Sequence, residues 1–179
     1  MTLEQLNSLP DDEARAALER CCAAQAWVSR VCAGRPYRNR AGLFAAAERA
    51  ADKLKNTDWL EAFAHHPRIG DREGLRSRVP ASNVDGGRAA TAAWAGEEQK
   101  DAAAAPAATL DQLAEGNRAY EEKFGYIFIV CATGKLAGAI LSLLQARLAN
   151  DSDTELVNAS REQRAITRLR LEKLLGRNA

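Results

Sequence analysis

Two adjacent histidines, His65 and His66, stand at the end of a predicted helix. The apolar residues before them repeat at helical spacing: Trp59, Leu60 and Phe63. Pro67 stops that helix because proline donates no N–H and disfavours a helical residue before it. His66 can therefore face a cleft, and histidine titrates near neutral pH without help. The alternative is a helix C-cap with the imidazole near the terminal carbonyls. His65 is expected to point elsewhere.

A second candidate is Arg170, in the last predicted helix. At about 100° per residue, it falls among apolar residues that share one face: Ile166, Leu169 and Leu174. An arginine in an apolar face is costly unless it is paired. Arg170 could therefore form a structural ion pair, or its side chain could snorkel to the surface. Alternatively, it could bind an anion, because its planar guanidinium suits a carboxylate. The other arginines of this helix are predicted to form a solvated flank: Arg161, Arg164 and Arg168.

A third candidate is Glu98, four residues after Trp94, so that the two share a helix face. A carboxylate beside an indole on the inward side could orient His66 or exchange a proton with it. The alternative is a solvent-exposed acid on a surface helix. Asp71 and Glu97 compete for the same role.

The composition is that of a soluble globular chain, with 46% apolar and 27% charged residues. Lys and Arg number 25 against 24 Asp and Glu, and a net charge of +1 gives no pull toward nucleic acid or an anionic membrane. We expect no signal peptide and no membrane span. The cysteines form no Cys-x-x-Cys: Cys21, Cys22, Cys32 and Cys131. They predict reduced, buried thiols in the cytosol, without zinc or disulfides.

Helical periodicity and capping residues predict helices over most of the chain. Thr2, Asn39 and Thr109 are expected caps, as are residues 56–58 and 151–153, and 134–148 is a strongly apolar helix. Residues 86–105 are predicted helical, and residues 71–85 form a loop. Residues 126–131 are strand-like but have no partner run, so their backbone groups need a ligand, water or other partners. The predicted fold is a single all-α domain, a helical bundle over residues 1–179 with one buried extended segment.

Four short motifs, in this order, resemble the OHCU decarboxylases, which act on 2-oxo-4-hydroxy-4-carboxy-5-ureidoimidazoline. They are His66-Pro67, Glu98-Gln99, Phe124-Gly125-Tyr126-Ile127-Phe128-Ile129-Val130-Cys131-Ala132, and Leu169-Arg170-Leu171. Two positions depart from the family pattern. Ala95 stands where the family usually has serine, so a hydroxyl contact to ligand is lost or moved. Ile127 stands where proline is common, so the backbone of that segment is set differently.

The resemblance implies that His66 donates a proton while Glu98 and Arg170 hold the substrate. We therefore expect these three side chains to converge on one pocket. It also implies substrate contacts, mainly from the backbone, at ten positions: Pro67, Ala95, Gly96, Glu97, Gln99, Phe128, Ile129, Val130, Cys131 and Ala132. No metal and no organic cofactor is implied.

The expected function is thus a cofactor-free carboxy-lyase that makes (S)-allantoin from the ureidoimidazoline in urate and purine catabolism. The resemblance also suggests a homodimer. The cysteines and the charge balance predict a cytoplasmic protein without nucleic-acid or membrane partners. One alternative is a non-catalytic helical module that binds nucleic acid or protein through the Arg-rich C-terminal helix. Another is a hydrolase or cyclase that acts on a related ureide in the same pocket. The direction in which Arg170 points separates the enzyme from the binding module.

Overall fold

Helices account for the regular secondary structure in the part of the chain that the computed structural model describes, which is residues 1–69, 94, 96–98 and 105–176. Their bounds are α1 Leu3–Ser8, α2 Asp11–Glu19, α3 Gln25–Ala33, α4 Arg40–Ala51, α5 Asn56–Ala64, α6 Ala107–Phe124, α7 Ala137–Arg147 and α8 Ser152–Leu174. Residues 94 and 96–98 are helical as well. None of the described residues lies in a β-strand. The predicted all-α class is confirmed.

Several helix starts follow directly from capping residues. Thr2 and Gln5 form a capping box at α1, in which each side chain accepts a hydrogen bond from the backbone N–H of the other residue. Asn39 and Asp151 each accept a hydrogen bond from the backbone N–H three residues later, at the starts of α4 and α8. These three predicted caps are confirmed.

Two helix starts differ from the prediction. Helix α6 begins directly after Pro106, and Thr109, the predicted cap, lies within its first turn. Proline suits this position because the first turn of a helix leaves its N–H groups unpaired in any case. Helix α5 begins at Asn56, so Asp58 lies inside it and accepts a hydrogen bond from Lys55 N–H at 2.8 Å. On the same helix Leu60, expected on the apolar face, is 40% exposed.

The chain divides into two compact units, and the first comprises Met1–Ala62 and Arg164–Ala179. Its largest fully buried side chains are Leu6, Leu18, Trp27, Leu43 and Leu171. The indole of Trp27 donates a hydrogen bond to Ala47 O at 3.0 Å, which satisfies the polar atom of a buried aromatic ring. The prediction of a single domain over residues 1–179 stays a prediction.

The second unit, Phe63–Gln163, has its own apolar core. The core residues are Ile69, Leu113, Tyr120, Phe128, Val130, Ala132, Ala137, Ile140 and Leu144. A Cβ at Gly116 would lie 2.4 Å from Leu144 Cδ2, so glycine allows α6 and α7 to approach closely there. Gly125 ends α6 with a left-handed backbone at φ +78°, as the sequence predicts.

The predicted apolar helix over residues 134–148 is shorter in the structure, because α7 begins only at Ala137. Residues 127–132, before it, adopt neither helix nor strand, and residues 128–132 are buried. Residues 128–132, called the buried segment below, overlap the strand-like run predicted at residues 126–131, whose first two residues are only half-buried. Within the described ranges, no helix is both long and apolar enough to cross a membrane.

Candidate active site

His66 follows the end of α5 and is half-buried, whereas its neighbour His65 is exposed. The backbone N–H of His66 donates to Phe63 O at 3.1 Å, and Pro67 after it is buried. Phe63 is itself fully buried, with its ring centroid 5.2 Å from that of Tyr126. The turn that carries His66 is therefore anchored next to the start of the buried segment.

Two contacts with α6 secure the chain immediately after His66. Arg68 forms a bidentate ion pair with Glu121, in which Nε and Nη2 each lie 2.7 Å from a carboxylate oxygen. Asn117 Nδ2 donates to Ile69 O at 3.1 Å. No sequence motif marks these residues. The sequence shows an arginine two positions after His66, but helical periodicity does not predict which acid pairs with it.

Glu98 is half-buried, Gly96 before it is half-buried, and Glu97 is exposed. Of the two acids in this helical stretch, Glu98 is thus the less accessible, which fits the role the sequence assigns to it. Other predicted positions lie outside the described residues: Ala95, Gln99 and Asp71, with nearly all of the 71–85 loop and the 86–105 helix.

The Glu98 carboxylate makes a small contribution to the electrostatics of the buried segment. Burial raises the pKa of the Cys131 thiol, the Lys135 ammonium lowers it, and the carboxylates of Glu162 and Glu98 raise it further. Glu98 therefore lies within electrostatic range of Cys131. His66, Glu98 and residues 128–132 all belong to the second unit.

Three charged side chains bind the backbone of the buried segment. Arg147 Nη1 donates to Ile129 O at 2.9 Å. Cys131 N–H donates to Glu162 Oε2 at 2.7 Å, and Cys131 O accepts a hydrogen bond from Lys135 Nζ at 2.6 Å. Side chains of this chain thus supply part of the partners that the sequence demanded for these backbone groups.

The other backbone N–H groups of the segment are different. Those of Phe128, Ile129, Val130 and Ala132 donate no hydrogen bond to any residue in the described part of the chain, although all four residues are buried. Buried backbone N–H groups are nearly always paired with protein, water or ligand. These four N–H groups are therefore candidates to bind a ligand or other partners.

A buried ionic network around Glu155, which is 0% exposed, supports the segment. Arg147 Nε donates to Glu155 Oε1 at 2.7 Å, Asn150 Nδ2 donates to Oε2 at 2.8 Å, and the Tyr120 hydroxyl donates to Oε1. The Arg147 guanidinium also lies 4.7 Å from the ring centroid of Phe128. Burial alone would raise the pKa of Glu155, but these hydrogen bonds hold it below its usual range. These supporting residues could not be predicted from the sequence, because nothing in it indicates that a Glu and an Arg on different helices form a pair.

We expect Glu155→Gln to lower the free energy of unfolding at pH 7 by about 3–5 kcal/mol, because it leaves the buried Arg147 charge uncompensated. A carboxyl with a lowered folded pKa stabilises the fold above its unfolded pKa, and this stabilisation is lost as the pH falls through the folded pKa. The gap between wild type and variant should therefore shrink below about pH 4.3. Denaturant titrations at several pH values measure it.

The matched control is Glu172→Gln on the same helix, whose partner is the exposed Arg168. This substitution should cost at most about 1 kcal/mol. A gap between wild type and Glu155→Gln that stays constant down to pH 3 would contradict the assigned role of the carboxylate.

Arg170 lies on α8 in the first unit and is only 3% exposed. Its Nη1 donates to Arg20 O at 3.4 Å. Burial raises the pKa of the Cys22 thiol to about 11. Hydrogen bonds with Ala24 and Thr167 and the positive charge of Arg170 act in the opposite direction. A side chain so buried does not place its head in solvent, which argues against snorkelling. That Arg170 converges with His66 and Glu98 stays a prediction.

Acidic side chains nearby compensate the positive charge of Arg164 and Arg168, two of the three arginines predicted to form the solvated flank of α8. Arg164 is half-buried and pairs with Glu48 at 3.2 Å and Asp52 at 2.8 Å. Arg168 is exposed and pairs with Glu172 at 3.4 Å. A nucleic-acid-binding face needs uncompensated positive charge, so these pairs weigh against the binding-module alternative.

The four cysteines are all buried free thiols. Across the ranges that the structure describes, no three His, Cys, Asp or Glu side chains are grouped so as to hold a metal ion. The polar groups gathered in the second unit are instead an imidazole, carboxylates and backbone N–H groups.

The sequence matches the family model described as OHCU decarboxylase over residues 7–172. The chain is 33% identical over 159 residues to the uric acid degradation bifunctional protein TTL of Arabidopsis thaliana, with 89% of this chain covered. That alignment spans 46% of the plant protein, so the chain corresponds to about half of it. The chain is also 26% identical to a 2-oxo-4-hydroxy-4-carboxy-5-ureidoimidazoline decarboxylase of Haloferax volcanii, over 96% of this chain and 94% of that protein.

Two solved structures share the fold. The crystal structure of an OHCU decarboxylase in the presence of (S)-allantoin superposes with a TM-score of 0.68 at 29% identity, over 93% of this chain and 99% of the other. An (S)-allantoin synthase structure superposes with a TM-score of 0.67 at 17% identity, over 98% of this chain and 54% of the other, and shows the fold alone. With the family model matched over nearly the whole sequence, the chain belongs to the OHCU decarboxylase family.

Proposed function

We propose that this protein decarboxylates 2-oxo-4-hydroxy-4-carboxy-5-ureidoimidazoline to (S)-allantoin in urate degradation. The family match over residues 7–172 carries this proposal. The motif residues His66, Glu98 and Arg170 lie within the matched range.

The reaction has two requirements. As the carboxylate leaves as CO₂, the electron pair of the broken bond moves onto carbon and is delocalised into the adjacent imidazoline. That negative charge needs electrophilic stabilisation, which arginine and backbone amide dipoles supply. A proton must then reach one face of the carbon, and an imidazolium supplies it before being reprotonated from water. No metal and no organic cofactor takes part in this scheme.

We assign the proton transfer to His66 and the binding of substrate to Glu98 and Arg170. The half-buried position of His66, in contrast to the exposed His65, supports this choice of histidine. The burial of Arg170 fits an arginine that binds a carboxylate, because a guanidinium removed from water binds an anion more strongly.

The backbone contacts proposed for residues 128–132 have a more specific basis. The N–H of Cys131 already donates to Glu162, whereas those of Phe128, Ile129, Val130 and Ala132 are without an acceptor among the described residues. We assign anion binding to the N–H groups of Val130 and Ala132, because Arg147 and Lys135 bind the carbonyls of the same two peptides. We do not assign it to the N–H of Cys131. Pro67, Gly96, Glu97 and the positions of Ala95 and Gln99 remain proposed neighbours of the substrate.

The test is turnover of freshly generated substrate with chiral detection of the product. We expect protein-dependent release of CO₂ and formation of (S)-allantoin in excess of the other enantiomer. Spontaneous protonation in water reaches both faces of the carbon, so a reaction without protein yields no such excess. Racemic allantoin formed at the spontaneous rate would contradict the proposal. Substrate loss without CO₂ release would instead favour the hydrolase or cyclase alternative.

We further propose that the protein works as a cytoplasmic homodimer. Four buried free thiols fit a reducing compartment. The dimer rests on the family resemblance, and the exposed side chains of Leu136 and Leu143 offer apolar surface near and on α7. Light scattering on the purified protein measures the mass. A monomeric mass at micromolar concentration would refute the dimer and leave the proposed activity unaffected.

A further inference from the structure

We propose that Lys135 and Arg147 are positioning residues that strengthen and aim two backbone N–H donors toward the substrate. The inference rests on the proposed function and assigns roles to two cations outside the motif residues. Each cation donates a hydrogen bond to a carbonyl of the buried segment, Lys135 to Cys131 O and Arg147 to Ile129 O.

Peptide geometry links each of these carbonyls to the N–H group of Ala132 or of Val130. The carbonyl of Cys131 and the N–H of Ala132 belong to one peptide plane, and the carbonyl of Ile129 and the N–H of Val130 belong to another. Both peptide bonds are trans. In a trans peptide the C=O and N–H bonds point in opposite directions. A cation that holds the carbonyl therefore directs the N–H of the same plane away from itself.

The two N–H groups directed in this way have no acceptor in the described part of the chain. The same is true of the N–H groups of Phe128 and Ile129, but no cation among the described residues binds the carbonyls of their peptides. The intervening N–H, that of Cys131, is held by Glu162. Three charged side chains thus bind the segment through Ile129 and Cys131, and the two cations direct the N–H groups of Val130 and Ala132. Two backbone N–H groups presented together form a donor pair for developing negative charge.

The cations also change the strength of the donors. Hydrogen bonds in a chain polarise one another, so a cation on the carbonyl draws electron density from the peptide and makes its N–H a better donor. This effect grows when the site is removed from water. The donors therefore stabilise negative charge more strongly as it develops in the transition state than neutral peptides would.

Lys135 is the more informative residue to substitute. Arg147 is buried and paired with Glu155, so its removal disturbs the ionic network as well as the segment. Lys135 is half-buried and contacts Cys131 O through its ammonium group alone. Lys123 provides a matched control in the same unit, because its Nζ donates to Leu148 O and Asn150 O, at 2.7 and 2.8 Å, and to no group of the segment.

We expect Lys135→Met to lower kcat about tenfold with KM nearly unchanged, which is less than the 10²–10³-fold loss from removing a whole donor. Lys135→Arg keeps a cation within reach of the carbonyl and should recover most of the rate. Lys123→Met should leave kcat unchanged. Wild-type kcat in Lys135→Met, or an equal loss in Lys123→Met, would overturn the proposal.

A second measurement does not depend on activity. In ¹⁵N-labelled protein without ligand, the Ala132 amide proton should move upfield in Lys135→Met and return in Lys135→Arg, because the shift follows polarisation of that peptide. Titration with (S)-allantoin should move this proton downfield more in wild type than in Lys135→Met. An unchanged Ala132 resonance in Lys135→Met refutes the role of Lys135. Failure of wild type to form (S)-allantoin refutes the proposed function instead, and the resonance of the unliganded protein still tests Lys135.

Discussion

His66→Asn is expected to lower kcat by about 10²–10⁴-fold, the usual contribution of a general acid, while the fold survives. An amide keeps much of the size of the imidazole but cannot transfer a proton at neutral pH. The turn should be retained, because the His66 contact that anchors it uses the backbone N–H, which donates to Phe63 O. The measurements are turnover of fresh substrate and a thermal melting curve.

The adjacent residue provides the control for this prediction. His65 has the same side chain but is exposed, so His65→Asn should cost far less activity. If both variants lost activity equally, either the wrong histidine was chosen or the loss is structural. The two melting curves separate these outcomes, since a structural loss would also lower the melting temperature.

Arg170→Met is expected to lower kcat/KM by about 10²-fold or more, because it removes a charged donor from the proposed substrate. Arg170→Lys should also impair binding, since a point charge replaces a bidentate fork. The melting temperature of Arg170→Met should match or exceed that of wild type, because replacing a buried charge with an apolar side chain of similar volume is often neutral or stabilising. The buried neighbours Ile166 and Leu174 should keep their packing.

Activity and stability must be measured together for this variant. Full activity in Arg170→Met would remove the anion-binding role. Lost activity with a collapsed melting curve would instead identify a structural ion pair, one of the alternatives that the sequence leaves open. Arg164→Met on the same helix is a suitable comparison, because Arg164 pairs with Glu48 and Asp52 and has no proposed contact with substrate.

Local sequence signals determined much of the secondary structure. Caps such as Thr2, Asn39 and Asp151 mark helix starts because their side chains bind backbone N–H groups only three residues away. Gly125 marks a helix end for a similarly local reason, its left-handed backbone. Where several capping residues are close together, as at 56–58, the rule does not say which one begins the helix.

The burial of Arg170 was also visible in the sequence, since its place among apolar residues follows from helical periodicity. Leu60 was expected on the same apolar face as Trp59 but is exposed, because at about 100° per residue it lies at the edge of the face that Trp59 and Ala62 bury. Periodicity specifies the direction of a side chain around its own helix. How much of the helix circumference is buried depends on the other parts of the chain that pack against it.

By itself, the sequence determined the helical class, the family motifs and the identity of the candidate acid, carboxylate and arginine. Only the tertiary structure decided how the segment at residues 128–132 is held, because its partners come from distant positions: Arg147, Glu162 and the network around Glu155. A strand-like run carries no mark of which side chains will bind its backbone. That choice depends on how α6, α7 and the N-terminal part of α8 pack in the second unit.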